Sequence, residues 1–296
     1  MKQKQTKEFK DSDPTGRYFR RSEIEHFSSH CWTYRAYDSV DGLDISWVQY
    51  QIPTAPAAEK LDYYTSLDFQ QLMKMKTWWT SPDKTVLFII TESLGSCTIF
   101  DFLERQDSVY RPKAISRWFK AVLQALNYLH QRNIIHGKVR LSEIFIKPSS
   151  GTVKLSHPIS RMNFMDKDEI IVSCYMAPEE LENVISIRGD IWQFGIGLTE
   201  AVTRQKPFSE CKSSMELITR LASYTPPKAV ESIGDPILKD LIMKCLQPPE
   251  NRPTAEQLLS HQFFTMDFSA PQPQADTGKG SMSLIDLSPY QEIRSE

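Results

Sequence analysis

Ile134-Ile135-His136-Gly137-Lys138-Val139-Arg140-Leu141-Ser142-Glu143-Ile144-Phe145-Ile146 is the stretch from which the rest of the chain is read. A hydrophobic pair leads into a histidine. A short segment carrying Lys138, Arg140 and Glu143 follows, and Ile-Phe-Ile then reads as the opening of a strand. On its N-terminal side lies a strong helical pattern. Ile115, Trp118, Phe119, Val122, Leu123, Leu126 and Leu129 fall at i, i+3, i+4 spacing, which predicts a helix over 114–131. Such a helix spans roughly 27 Å, enough to support a lobe. On its C-terminal side, Pro148-Ser149-Ser150-Gly151 reads as a turn and Thr152-Val153-Lys154-Leu155 as a second strand.

Before about residue 92 the chain reads as strands. Tyr34–Asp38 is short and aromatic, Asp41-Gly42 signals a hairpin, and Leu43–Tyr50 alternates apolar with polar until Pro53 and Pro56 stop it. Leu61, Tyr64, Leu67 and Leu72 predict a helix from Ala57 to about Met75, with Glu59 facing solvent. Thr77-Trp78-Trp79 reads as a strand end with a turn at 81–84. Val86–Glu92 reads as a buried strand leading into a hinge at 93–96. From Ile99 onward helices dominate. Trp78, Trp79 and Trp118 read as core or groove-lining residues.

Composition limits the function classes. At 296 residues and 40% hydrophobic content the chain builds a sizeable core, and a wholly disordered protein is excluded. A net charge of -2 and a pI of about 6.3 argue against a nucleic-acid module. Cys31, Cys97, Cys174, Cys211 and Cys245 form no C-x-x-C pair, so neither a disulfide framework nor a zinc site is expected. They read as reduced thiols. No apolar leader and no membrane-length apolar run appears, which predicts a soluble, cytoplasmic protein without a membrane span. Residues 1–13 read as a flexible start. Residues 267–296, rich in Ala, Pro, Gln, Asp, Gly and Ser, read as a disordered tail, with Leu284-Ile285-Asp286-Leu287 as a small apolar island suited to docking.

The landmarks in order resemble the protein-kinase fold over residues 14–266. His136 with Ile144-Phe145-Ile146 frames a catalytic loop. Tyr175-Met176-Ala177-Pro178-Glu179 carries A-P-E, Gly189-Asp190-Ile191-Trp192-Gln193-Phe194-Gly195 carries D-x-W-x-x-G, and Arg252 follows near the end. The resemblance implies an α+β, two-lobed protein, with a small β-rich lobe at about 14–92 and a larger helical lobe at about 97–266. More narrowly, the chain is similar to the with-no-lysine kinases and to the nuclear receptor-binding protein pseudokinases. Asp13-Pro14-Thr15-Gly16-Arg17-Tyr18, the spacing from Tyr34 to Trp47, Ile134-Ile135-His136-Gly137 and Trp118 carry that narrower likeness.

The same resemblance implies which positions have changed. Lys138 stands where kinases have the catalytic Asp, Glu143 where they have the metal-binding Asn, and Gly137 where they have Arg. His157, within Ser156-His157-Pro158-Ile159, stands at the metal-binding Asp. Val48 stands at the phosphate-pairing Lys, and Cys31 at the substitute Lys of the with-no-lysine group. The glycine-loop segment His26–Cys31 holds no Gly, and Val172 replaces a Thr. His136, Asp190 and the pair Glu179 with Arg252 are implied to be structural, with no catalytic, metal or cofactor-binding residue.

These replacements predict a catalytically inactive scaffold or adaptor that binds protein partners in signalling, in part through the 267–296 tail. One alternative is an atypical active Ser/Thr protein kinase in which Glu143, Asp166 or Asp168 recruits a metal and Lys138 acts as base, against the plainer reading of Lys138 as a surface lysine. A second alternative is weak, metal-independent nucleotide binding on backbone groups at 92–95. Ser173 and Tyr175 are exposed-loop candidates for phosphorylation by another kinase.

Overall fold

The structure is a computed structural model that describes residues 9–28, 31–52, 57–93, 95, 97–105, 111–158 and 173–268. Its contacts divide the chain into one unit ending at Met266 and a second from Asp267 to Glu296. Asp166, Asp168, Val172 and Leu284–Leu287 lie outside the described residues.

The first part is an antiparallel sheet. Its strands are β1 (Asp11–Ser12), β2 (Tyr18–Ser28), β3 (Cys31–Asp38), β4 (Leu43–Gln51), β5 (Met75–Thr80) and β6 (Val86–Glu92), in the order β1-β2-β3-β4-β6-β5. The alternation in 43–50 gives β4 two different faces. Ile45 and Trp47 point into a cluster with Tyr18, Ala36 and Ile90, where Trp79 meets Trp47 edge-on at 4.8 Å. Ser46, Val48 and Tyr50 point the other way. β3 pairs with β4 so that Cys31 lies opposite Tyr50 and Thr33 opposite Val48, which brings these four side chains to one face.

The β3–β4 hairpin turns at Asp41-Gly42, with Gly42 at φ +69, where the lack of a Cβ removes the strain. Asp38 anchors it. Its carboxylate accepts Arg17 Nε at 2.8 Å, Lys76 Nζ at 3.1 Å and the backbone N–H of Val40 at 3.1 Å. The Arg17 hydrogen bond leads in holding Asp38 well below the usual carboxylate range, against the effect of burial. One buried anion thus ties the chain's entry, the hairpin and β5 together.

The helix expected over 57–75 is shorter. α1 spans Ala58–Ser66, and Leu67 is already extended at φ -67, ψ 124. Leu61 and Tyr64, three apart, are its buried residues, whereas the five-residue step from Leu67 to Leu72 leaves the helical stripe. Leu72 instead forms a parallel bridge with Leu155, and Met73 N–H donates to Leu155 O at 2.8 Å. Tertiary pairing competes successfully here with helical propensity.

The helical part follows. α2 (Ile99–Glu104) starts from a capping box in which Thr98 Oγ1 accepts Asp101 N–H at 3.1 Å and Asp101 accepts Thr98 N–H at 3.0 Å. α3 (Pro112–His130) buries the apolar stripe read from the sequence, with Phe102 edge-on to Trp118. β7 (Ile144–Lys147) and β8 (Thr152–Leu155) form a two-stranded ribbon. α4 (Ile187–Thr203) is buried nearly all round. At Gly195 an added Cβ would come within 2.6 Å of Cys245 Cβ, so α4 lies closely against α6 (Pro236–Cys245) only because that residue has no side chain. α5 (Ser214–Ala222), α7 (Ala255–Leu259) and α8 (Gln262–Thr265) complete this part. Among the described residues no helix is long and apolar enough to cross a membrane.

Candidate active site

The segment after α3 is held from beneath by the first turn of α4. Asp190, fully buried, accepts the backbone N–H of His136 at 2.9 Å and of Gly137 at 2.6 Å, and also His130 Nε2–H at 2.9 Å. Gly137 takes φ +72, a conformation in which a side chain would be strained. One turn further along α4, Gln193 Oε1 accepts Val139 N–H at 2.8 Å. His136 is buried, and desolvation pushes its pKa down, so the ring is neutral. Its Nε2–H donates to Ser156 O at 3.0 Å, and Nδ1 accepts Lys138 N–H at 3.3 Å. The backbone from 136 to 139 is therefore fixed on both sides, and the side chain of Lys138 is presented from a rigid base.

Lys138 Nζ meets Glu143 Oε1 at 2.8 Å, and Arg140 Nη2 lies 3.7 Å from the same oxygen. The Glu143 side chain is 15% exposed and that of Lys138 25%. Burial acts to raise the Glu143 pKa, but Lys138 and then Arg140 outweigh it and hold the carboxyl at about 2. Lys138 is therefore ion-paired and partly buried, in place of the free surface lysine of the plainer sequence reading, and Glu143 already faces two cations.

His157 is buried, and desolvation pushes its imidazole down to about 4. From above, burial pushes the Cys31 thiol up to about 11 and the Tyr50 phenol well above its ordinary value. Cys31, Val48 and Tyr50 from the sheet and Lys138, Glu143 and His157 from below line one cavity of about 70 Å³. The structure thus gathers five of the replaced positions, 31, 48, 138, 143 and 157, around a single space, while Gly137 does not line it and Val172 lies outside the described residues. Tyr50 and Arg140 were missed as parts of it. The signal for Tyr50 was present, since it lies two residues from Val48 on an alternating strand.

The structural landmarks lie elsewhere. Glu179, Asp190 and Arg252 do not line the cavity. Tyr175 donates its hydroxyl to Glu200, whose carboxyl burial pushes up to about 7, and Ser173 Oγ accepts Tyr175 N–H at 3.3 Å.

Magnesium, the metal that a kinase site implies, prefers several oxygen donors in octahedral array. The positions that would supply them hold a neutral imidazole and a carboxylate engaged by two cations. Among the described residues no group of three or more His, Cys, Asp or Glu is placed to hold a metal ion. The residues present do not fit the ion.

Residues 51–264 match the protein kinase domain. The chain belongs to the protein kinase family. It is 28% identical over 279 residues to serine/threonine-protein kinase WNK8 of Arabidopsis thaliana, covering 88% of this chain and 48% of that protein. It is 29% identical over 272 residues to probable serine/threonine-protein kinase WNK5 of Oryza sativa subsp. japonica, covering 86% and 83%. It is 27% identical over 268 residues to serine/threonine-protein kinase Wnk of Drosophila melanogaster, covering 86% of this chain and 11% of that protein. The chain thus spans about half the length of the first of these relatives. Rad53, solved in complex with AMP-PNP, superposes with a TM-score of 0.72 at 18% identity, covering 84% of this chain and 66% of that one. That likeness shows the two-lobed α+β kinase fold.

The with-no-lysine resemblance stands on these relatives. They overturn the expectation of a non-enzymatic scaffold, because proteins aligned along most of this chain are named serine/threonine-protein kinases.

Proposed function

We propose that this chain is an atypical serine/threonine-protein kinase whose inter-lobe cavity meets the nucleotide's phosphates with cations of the 136–143 segment instead of a strand lysine. The observation that carries this reading is the position of Lys138. Its ammonium lies 2.8 Å from Glu143 at the floor of the cavity that also holds Cys31 and Val48, the two positions from which the strand lysines are missing. Phosphoryl transfer is mostly positioning and charge stabilisation. A lysine on a fixed backbone supplies charge at the γ-phosphoryl oxygens even though it cannot act like the missing carboxylate base. In the reaction the substrate hydroxyl oxygen bonds to the γ-phosphorus, the β–γ bridging bond breaks, ADP leaves, and the hydroxyl proton passes to phosphate or water.

The reading is tested with protein prepared free of contaminating kinases, incubated with γ-labelled ATP and a generic Ser/Thr substrate. Label is expected on the substrate or on the chain itself, at a rate about 10²–10⁴-fold below an ordinary kinase because the base is replaced. Lys138→Ala is expected to abolish it while the circular dichroism spectrum is unchanged. No incorporation above a heat-treated control, or incorporation equal in Lys138→Ala, refutes the reading.

A further inference from the structure

We infer that the cavity engages nucleotide phosphates without magnesium, through Lys138 and Arg140, and that a phosphate oxygen replaces Glu143 as the partner of Lys138. This inference rests on the nucleotide-binding part of the reading above and goes beyond it in naming the form of the nucleotide that binds.

The charge around the cavity carries the argument. Lys138 and Arg140 both address the one carboxylate of Glu143, at 2.8 and 3.7 Å, which leaves one positive charge in excess. Glu25, which also lines the space, is already paired with Arg35 at 3.0 Å. Cys31 and Tyr50 are neutral near pH 7 as a thiol and a phenol ordinarily are, the more firmly for being buried, and burial keeps the His157 ring neutral. The floor is therefore cationic, and its walls are neutral.

A magnesium ion brought in on the phosphates would enter beside an ammonium and a guanidinium, with a neutral imidazole where a carboxylate ligand is needed. Chelation also withdraws negative charge from the phosphates, which weakens their attraction to Lys138 and Arg140. Free nucleotide is the better-matched ligand on both counts. The exchange of partners is chemically even: the ammonium keeps an anionic oxygen acceptor throughout, and Glu143 keeps Arg140. Lys138 has the reach for this, since its side chain is partly exposed at the cavity.

The test is thermal unfolding and calorimetric titration of the full chain with ATP in EDTA, ATP with excess Mg²⁺, and adenosine in EDTA. ATP in EDTA is expected to bind about three- to fivefold more tightly than ATP with Mg²⁺, the scale of one partly exposed charge pair. It is also expected to raise Tm more than adenosine does. Lys138→Ala should bring ATP down to the adenosine level. If that variant does not fold, Arg140→Gln reads the same difference, reduced in size.

Binding that appears only when Mg²⁺ is added, or that is equal with and without it, overturns this inference and leaves the kinase reading standing. An ATP advantage that survives both substitutions also overturns it. No binding of ATP in either condition overturns both.

Discussion

Arg252 grips both carboxylate oxygens of Glu179, Nη1 to Oε1 at 2.6 Å and Nη2 to Oε2 at 3.2 Å, with the arginine 1% exposed. Two further donors are also used. Nε donates to Gln247 O at 2.9 Å and Nη1 to Arg188 O at 2.7 Å, while the guanidinium stands 5.3 Å from the Trp192 ring. One side chain thus ties the A-P-E turn, the start of α4 and the segment after α6 into one body, well away from the cavity.

Breaking that fork should destabilise the whole helical part. Glu179→Ala strands a buried guanidinium and is expected to lower unfolding free energy by about 3–5 kcal/mol. Arg252→Lys keeps the charge but loses the two-pronged geometry, and should recover only part of the loss. Urea midpoints of the three proteins check this; a Glu179→Ala midpoint equal to that of the unaltered chain contradicts the account.

Asp190 is the support of the active-site segment. Asp190→Asn keeps the shape but turns an amide N–H₂ toward one of three donors, those of His136, Gly137 and His130. A loss of about 1.5–3 kcal/mol is expected, the range for buried hydrogen bonds to a charged group. Hydrogen exchange should accelerate at the amides of 136 and 137 more than along α3. Uniform acceleration would show that the carboxylate supports the fold generally and not this segment.

Acid sensitivity follows from His157. Its folded-state pKa of about 4 lies below the ordinary 6.5, so the unfolded chain binds the extra proton first. For this group stability therefore falls as pH drops from about 6.5 to 4, by about 2–3 kcal/mol. Glu200, pushed up to about 7, acts in the opposite sense over the overlapping window, so the difference between the unaltered chain and His157→Gln is the readout. Glu143, held at about 2 against an ordinary 4.5, loses its contribution in the next window down, between about 4.5 and 2. His157→Gln should flatten the upper window alone. The measurement is unfolding free energy against pH, and an unchanged slope between 6.5 and 4 would rule out a buried neutral ring as the cause.

Lys138 and Glu143 should couple. Lys138→Met leaves Glu143 with only the more distant Arg140, so its pKa rises and stability drops. Glu143→Gln leaves two cations without their shared anion. The double variant should lose less than the sum of the singles, with a coupling of about 1–3 kcal/mol. Strict additivity in a double-mutant cycle would mean that the pair contributes nothing net.

Much of the fold was readable from periodicity. The stripe from Ile115 to Leu129 is buried in α3, and Asp41-Gly42 turns the hairpin, because both patterns are local consequences of helix and strand geometry. The stretch beyond Ser66 was misread because Leu67 and Leu72 look like helix positions in one dimension, while the partner that claims Leu72 is Leu155, far along the chain. The inference from missing catalytic groups to a non-enzymatic scaffold failed for a different reason. It argued from replaced positions alone, whereas relatives aligned along most of the chain are named serine/threonine-protein kinases, a comparison that single positions do not contain.

The sequence by itself determined which residue types stand at 31, 48, 138, 143 and 157, and placed them in a kinase frame, because motif order and spacing are properties of the chain alone. Only the tertiary structure decided what those residues are electrically. It brought Lys138 against Glu143, kept that carboxylate ionised despite burial, held the His157 ring neutral, and pushed the Cys31 thiol and Tyr50 phenol still further from ionising around one cavity. The reason is that charge state depends on burial and on side chains a few ångströms away: the cations that hold Glu143 come from its own segment, but the sheet residues that close the cavity over it lie about a hundred residues away in sequence.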